Sequence, residues 1–111
     1  MSAPAVVLVT RPGAAADCLK EALRSAGAVL AWIGEPEQLD PGQPPGTVVV
    51  LNLDPAIEAD LARLSPLWSL PEVRVVFNDA TVTQGLSGWD LKRWARHLVA
   101  KVFARDGHPE L

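Results

Sequence analysis

Val48-Val49-Val50-Leu51-Asn52-Leu53-Asp54-Pro55 is the stretch whose reading decides the fold. Four consecutive apolar residues leave no polar face, so the strand they form has to be covered on both sides, as in a parallel sheet between two layers of helices. The run then stops on polar groups. Asp54 is a good helix N-cap and Pro55 suits a first helical position, and Ile57, Leu61 and Leu64 continue as a stripe at helical spacing up to Ser65-Pro66.

The same grammar repeats to either side. Ala5 to Val9 reads as a first buried strand ending at Thr10-Arg11-Pro12-Gly13, where Pro12 biases Arg11 away from helix and opens the next one. That helix runs to about Ala26. Ala15, Leu19, Ala22, Leu23 and Ala26 form its apolar face, Cys18 borders it as a small, buried or half-buried side chain, and Gly27 is placed to cap the C-terminus. Val29 to Ile33 reads as a second buried strand. Pro36, Pro41, Pro44 and Pro45 with Gly42 and Gly46 then allow no more than one helical turn before Thr47.

Beyond Ser65-Pro66, a turn with Leu67, Trp68 and Leu70 leads to a fourth strand, Val73 to Phe77, which Asn78-Asp79 ends. Ser87-Gly88-Trp89-Asp90 has the form of a capping box, so a last helix is expected from about Gly88 to Ala104, with Leu91, Trp94, Ala95, Leu98 and Val102 on its core stripe. Strands alternating with helices predict an α/β fold: a doubly wound parallel sheet of flavodoxin-like or receiver-like type, reduced to four strands in the order 2-1-3-4. Residues 1–104 are expected to form one domain and 105–111 a flexible tail.

Composition agrees with one folded unit. Of the 111 residues 49% are hydrophobic and 21% charged, enough apolar surface to offset chain ordering. The net charge of −3 gives no global attraction for nucleic acid. One cysteine excludes an internal disulfide and a thiolate zinc site, and no run resembles a signal peptide or a membrane span, so a reducing, cytoplasmic location with no membrane association is expected.

In a doubly wound sheet, ligands bind outside the carboxyl ends of the strands. Those ends present Thr10 and Arg11, Asn52 and Asp54, and Asn78 and Asp79, the candidate anion or ligand residues. Arg11 has two readings: a fork for a phosphate or carboxylate, or an internal counter-ion for Asp54 or Asp79. A receiver that accepts a phosphoryl group on aspartate needs acids after its first strand to hold magnesium, an aspartate ending the third, a hydroxyl ending the fourth and a lysine ending a fifth. Here Arg11, Asn52 and Asn78 stand at those places and no fifth strand is visible. No phosphorylation site, catalytic residue, metal site or cofactor is therefore expected, and neither His97 nor His108 has partners at a spacing that supports catalysis.

The last helix carries the other candidate surface. Trp89 and Phe103 fall away from its core stripe, near Lys92, Arg93 and Arg96. Aromatics beside arginine favour a protein interface, so Trp89, Arg93, Arg96 and Phe103 are the candidate docking residues. The alternative is that Trp89 folds back on the Val82–Leu86 loop and Phe103 lies in a frayed end.

Val76-Phe77-Asn78-Asp79-Ala80, Gly85-Leu86-Ser87-Gly88-Trp89-Asp90 and Arg93-Trp94-Ala95-Arg96-His97-Leu98 resemble the end of the N-terminal receiver-like region of CheB-type chemotaxis protein-glutamate methylesterases, those of type IV pilus-linked chemosensory systems above all. The resemblance implies a degenerate receiver, a regulatory or docking domain that is not itself an enzyme, with a methylesterase domain or chemosensory protein as its partner. Val7-Leu8-Val9-Thr10-Arg11-Pro12 more weakly resembles the start of uroporphyrinogen-III synthases. A different class of function, a small-ligand sensor for anions or nucleotides at the strand ends, is the alternative expectation.

Overall fold

The computed structural model describes residues 5–40, 42–54, 58–70 and 72–104. It holds β1 (Ala5–Val9), α1 (Ala14–Ser25), β2 (Val29–Gly34), β3 (Thr47–Leu53), α2 (Glu58–Leu64), β4 (Arg74–Asp79), α3 (Ala80–Gln84) and α4 (Gly88–Phe103). The four strands form one parallel sheet in the order β2-β1-β3-β4, with Val6 beside Val48 and Val50 beside Val76. Fold class and strand order are those expected from the sequence. The reading of residues 55–57 as the start of α2, and of 105–111 as a tail, lies outside the described residues.

Alternation along the central strands feeds two cores. Val6, Leu8, Val48, Val50 and Val76 face α1 and α4, where Leu19, Leu23, Leu98 and Val102 meet them. Val7, Val9, Val49 and Leu51 face the other way, toward Leu39, Leu64 and Leu67. Removing one of these buried leucines would cost about 2–5 kcal/mol through lost transfer energy and the cavity left behind.

β2 corrects an expectation. It is an edge strand, not one buried on both faces: Val29 is 54% and Ile33 39% exposed, because among the described residues no strand pairs with its outer side. Its pairing with β1 also slips by one residue, from Val6 opposite Leu30 to Val7 opposite Trp32. Residues two apart on a strand normally share a face. The slip at Ala31 instead sends Leu30 to the α1 side and Trp32 to the other core. The ring of Trp32 lies where a side chain at Gly34 would be, 2.5 Å from the place of its Cβ, so that position accepts only glycine without rearrangement.

The connection after β2 holds a single 3-10 turn, Pro36–Gln38, closed by the Glu35 amide donating to Gln38 Oε1 at 3.0 Å. Arg63 of α2 donates to the carbonyls of Pro36 and Leu39, which pins this proline-rich stretch over the second core. The expected turn around Leu67 is likewise a 3-10 helix, Ser65–Ser69. β4 runs two residues further than expected, so Asn78 and Asp79 belong to the strand and pair with Asn52 and Leu53. The segment read as a loop after it begins with α3, too short to show a helical period in sequence.

α4 starts where expected, but not through the expected box. Ser87 makes no side-chain cap bond, since Gly88 takes φ 55° and the first turn departs from the geometry the box requires. Its far end is held by Arg74, whose guanidinium donates to the carbonyls of Lys101 and Val102. Desolvation there lowers the Arg74 pKa from its ordinary value.

α1 closes as the sequence implied. Gly27 takes φ 88°, its amide donates to the Arg24 carbonyl and that of Ala28 to Leu23, a Schellman closure. Nothing surrounds the place of a Gly27 Cβ. Gly27→Ala should therefore lower stability by about 1 kcal/mol, a purely conformational cost read in chemical denaturation. An unchanged midpoint would show that the closure contributes nothing.

Candidate functional site

Three parallel strands end side by side, and each ends in a polar residue with a short reach. Thr10 follows β1, Asn52 is the sixth residue of β3 and Asn78 the fifth of β4. Thr10 and Asn52 are buried, at 4% and 2% exposure, so their polar atoms have to find partners inside the protein. They find each other. Asn52 donates through Nδ2 to Thr10 Oγ1 at 2.9 Å and accepts at Oδ1 from Asn78 Nδ2 at 2.9 Å. Asn78 also donates to Thr83 Oγ1 at 2.8 Å and accepts at Oδ1 from the indole Nε1 of Trp94 at 2.7 Å. At the ends, the Thr10 hydroxyl donates to the Arg11 carbonyl and the Thr83 hydroxyl to that of Asp79.

The result is one ladder of neutral groups, Trp94 to Asn78 to Asn52 to Thr10, crossing the carboxyl edge of the sheet. Thr83 and Trp94 were not among the expected site residues. Trp94 reads from its spacing as core, which it also is, and only the position of α4 over β4 brings its N–H to Asn78. Thr83 sits on the unforeseen α3.

Arg11 and the acids lie around this ladder. Arg11 Nη1 donates to Glu35 Oε1 at 2.6 Å and lies 3.5 Å from Glu37 Oε1, which ties the exit of β1 to the exit of β2. An anion approaching Arg11 meets two carboxylates already there. Asp79 caps α3, its Oδ1 accepting from the amides of Thr81 and Val82 at 2.9 and 3.3 Å. Asp54 is half-buried two residues beyond Asn52. Among the described residues, no three of His, Cys, Asp and Glu gather as metal ligands do. His97 is exposed on α4.

The docking candidates lie together on α4. Trp89 is 78% exposed, so it does not fold back on the loop before it, and Phe103 is 37% exposed in the last turn of α4. Arg93 and Arg96 are exposed between them. Lys92 Nζ stands 5.6 Å from the centre of the Trp89 ring, and Arg93 lies 3.9 Å from Asp90. Positions 89, 96 and 103 are seven apart, which drifts by only about 20° per step on a helix, so they share one line.

No family model, no curated protein and no solved structure matches the chain. Among the described residues, no helix is long and apolar enough to cross a membrane.

Each amide in the ladder serves the next, so their losses should not add. Asn52→Ala and Asn78→Ala should each cost about 1–3 kcal/mol by leaving buried groups unsatisfied. The double variant should cost less than the sum, with a coupling of about 0.5–3 kcal/mol in denaturant unfolding. Strict additivity would mean that the two amides are not bonded.

Proposed function

We propose that this chain is a receiver-shaped regulatory and docking domain that takes up no phosphoryl group, and that it serves a chemotaxis protein-glutamate methylesterase or a related chemosensory signalling protein of the type IV pilus-linked kind. The observation that carries the reading is the ladder. An aspartyl phosphate needs an ionised carboxylate as nucleophile with a cation beside it. In this chain the centre of the sheet edge is Asn52, an amide with its oxygen accepting from Asn78 and its nitrogen donating to Thr10. A neutral amide lacks the negative charge and nucleophilicity of the carboxylate that this attack needs. The strand ends thus hold the sheet and α4 together instead of switching them.

A domain of this kind acts through its surface, and the outer face of α4 supplies one. Leaving Trp89 and Phe103 exposed costs solubility unless a partner covers them, and their arginine neighbours suit a mixed aromatic and polar contact. The partner is a methylesterase domain, adjoining or separate, or a chemosensory protein. No catalytic role is assigned to this chain, and no cofactor.

Two outcomes follow. Incubation with a small phosphodonor and magnesium should give no phosphoryl adduct by intact mass, and a stoichiometric adduct at Asp54 would defeat the reading. Trp89→Ala and Phe103→Ala should weaken binding to a methylesterase domain by about five- to thirty-fold while the melting temperature hardly moves. A large loss of stability in both variants would identify the rings as structural.

A further inference from the structure

α1 and α4 lie side by side on one face of the sheet and leave a groove of about 940 Å³ between them. Its apolar lining includes the short side chains of Cys18 and Ala22 from α1 and Ala95 and Val99 from α4, with the larger Leu91 and Trp94. The two rims differ in sign. Asp17 and Glu21 line it on α1, Lys92 and Arg96 on α4. We propose that the groove is the self-association surface of this protein, closed by a second copy of the chain in a two-fold dimer.

The charges select both the occupant and its orientation. α1 begins after the carboxyl end of β1 and ends before β2, so it runs against the strands. α4 does the same, since Trp94 near its start bonds Asn78 at one end of β4 and Arg74 at the other end of β4 holds its last turn. The two helices are therefore parallel. Asp17 and Glu21 are the fourth and eighth residues of α1, and Lys92 and Arg96 the fifth and ninth of α4, so each pair is four apart and the two pairs lie at matching distances from their helix starts. A two-fold axis along the groove lays α1 of each copy over α4 of the other without changing height. Asp17 then faces Lys92, and Glu21 faces Arg96, twice over. An axis across the groove would set acid on acid and base on base, which like-charge repulsion opposes.

A foreign helix would have to carry both rims in mirror order, whereas this chain already carries them. Asp17 has Lys20 at 3.9 Å on its own helix, an exposed contact too weak to withhold it. Arg96 also shares its line with Trp89 and Phe103, so a copy seated in the groove reaches the aromatic edge of α4. The inference needs only the helix pair and goes beyond the chemosensory reading.

Sedimentation velocity of the 111-residue chain over a concentration series decides it. The wild-type chain should dimerise reversibly, and Glu21→Lys or Arg96→Glu should each weaken the dimer by at least about tenfold, because each change places two like-charged pairs in one interface. Mixing the two single variants should restore a dimer. The lysine introduced at position 21 of one chain then meets the glutamate introduced at position 96 of the other, while the native Glu21 and Arg96 meet at the second contact. A wild-type chain that stays monomeric up to roughly 1 mM overturns the proposal. So does a dimer indifferent to both charge reversals, or a mixture that fails to pair while circular dichroism shows both variants folded. Loss of methylesterase binding in Trp89→Ala with the dimer intact would bear on the docking reading alone.

Discussion

Asn52 sits at 2% exposure in the most enclosed strand of the sheet, and a primary amide cannot be buried there without partners for both its ends. That requirement organises the carboxyl edge of the molecule. Its nitrogen fixes Thr10 and so the exit of β1; its oxygen fixes Asn78 and so the register of β4. Asn78 in turn bonds Thr83 and Trp94, which sets α3 and the start of α4. Buried amides of this kind contribute little net free energy when paired and cost much when not. The ladder therefore works mainly as a constraint on geometry: any arrangement of α4 that separates Trp94 from Asn78 leaves a polar group stranded.

The position of α4 has consequences of its own. Coming from an edge strand and crossing back over the face that α1 already covers, it meets Leu19 and Leu23 through Leu98 and Val102. Between the two helices the lining includes short side chains, Cys18 and Ala22 on α1 and Ala95 and Val99 on α4. A groove is the geometric remainder. Arg74 bonds its last turn and Asn78 bonds Trp94 in its second, so α4 is tied to β4 at two places.

Charge is arranged with the same economy. Arg11, which the sequence left between a fork for an anion and a counter-ion of Asp54 or Asp79, reaches Glu35 and Glu37 and closes the gap between β1 and the proline-rich connection. The basic side chains Lys92, Arg93 and Arg96 stay outside, on the face that also carries Trp89. The strand ends are thus joined by hydrogen bonds and an ion pair, while exposed aromatic and basic side chains lie on α4.

How far the sequence alone reaches can be judged residue by residue. Val48 to Leu51, with no polar face, determined a central parallel strand; the alternation of such runs with helical stripes determined the 2-1-3-4 sheet; Gly27 marked the end of α1 because only a left-handed residue closes it there. The phase of α4 put Trp89 off the core stripe but left it either exposed or folded back on the preceding loop, and only the structure decides for exposure. Other features were decided only by tertiary structure. That Val29 and Ile33 are exposed depends on β2 lying at an edge, which no property of those side chains encodes. α3 is shorter than the period by which helices are recognised, and it exists through the cap that Asp79 provides. The ladder joins Thr10, Asn52, Asn78 and Trp94 through bonds that span 42, 26 and 16 positions, and such bonds exist only once the sheet has set the strand ends side by side. The groove, likewise, belongs to no segment: each helix supplies half of it, and its opposed rims acquire meaning only when the sheet has made the helices parallel.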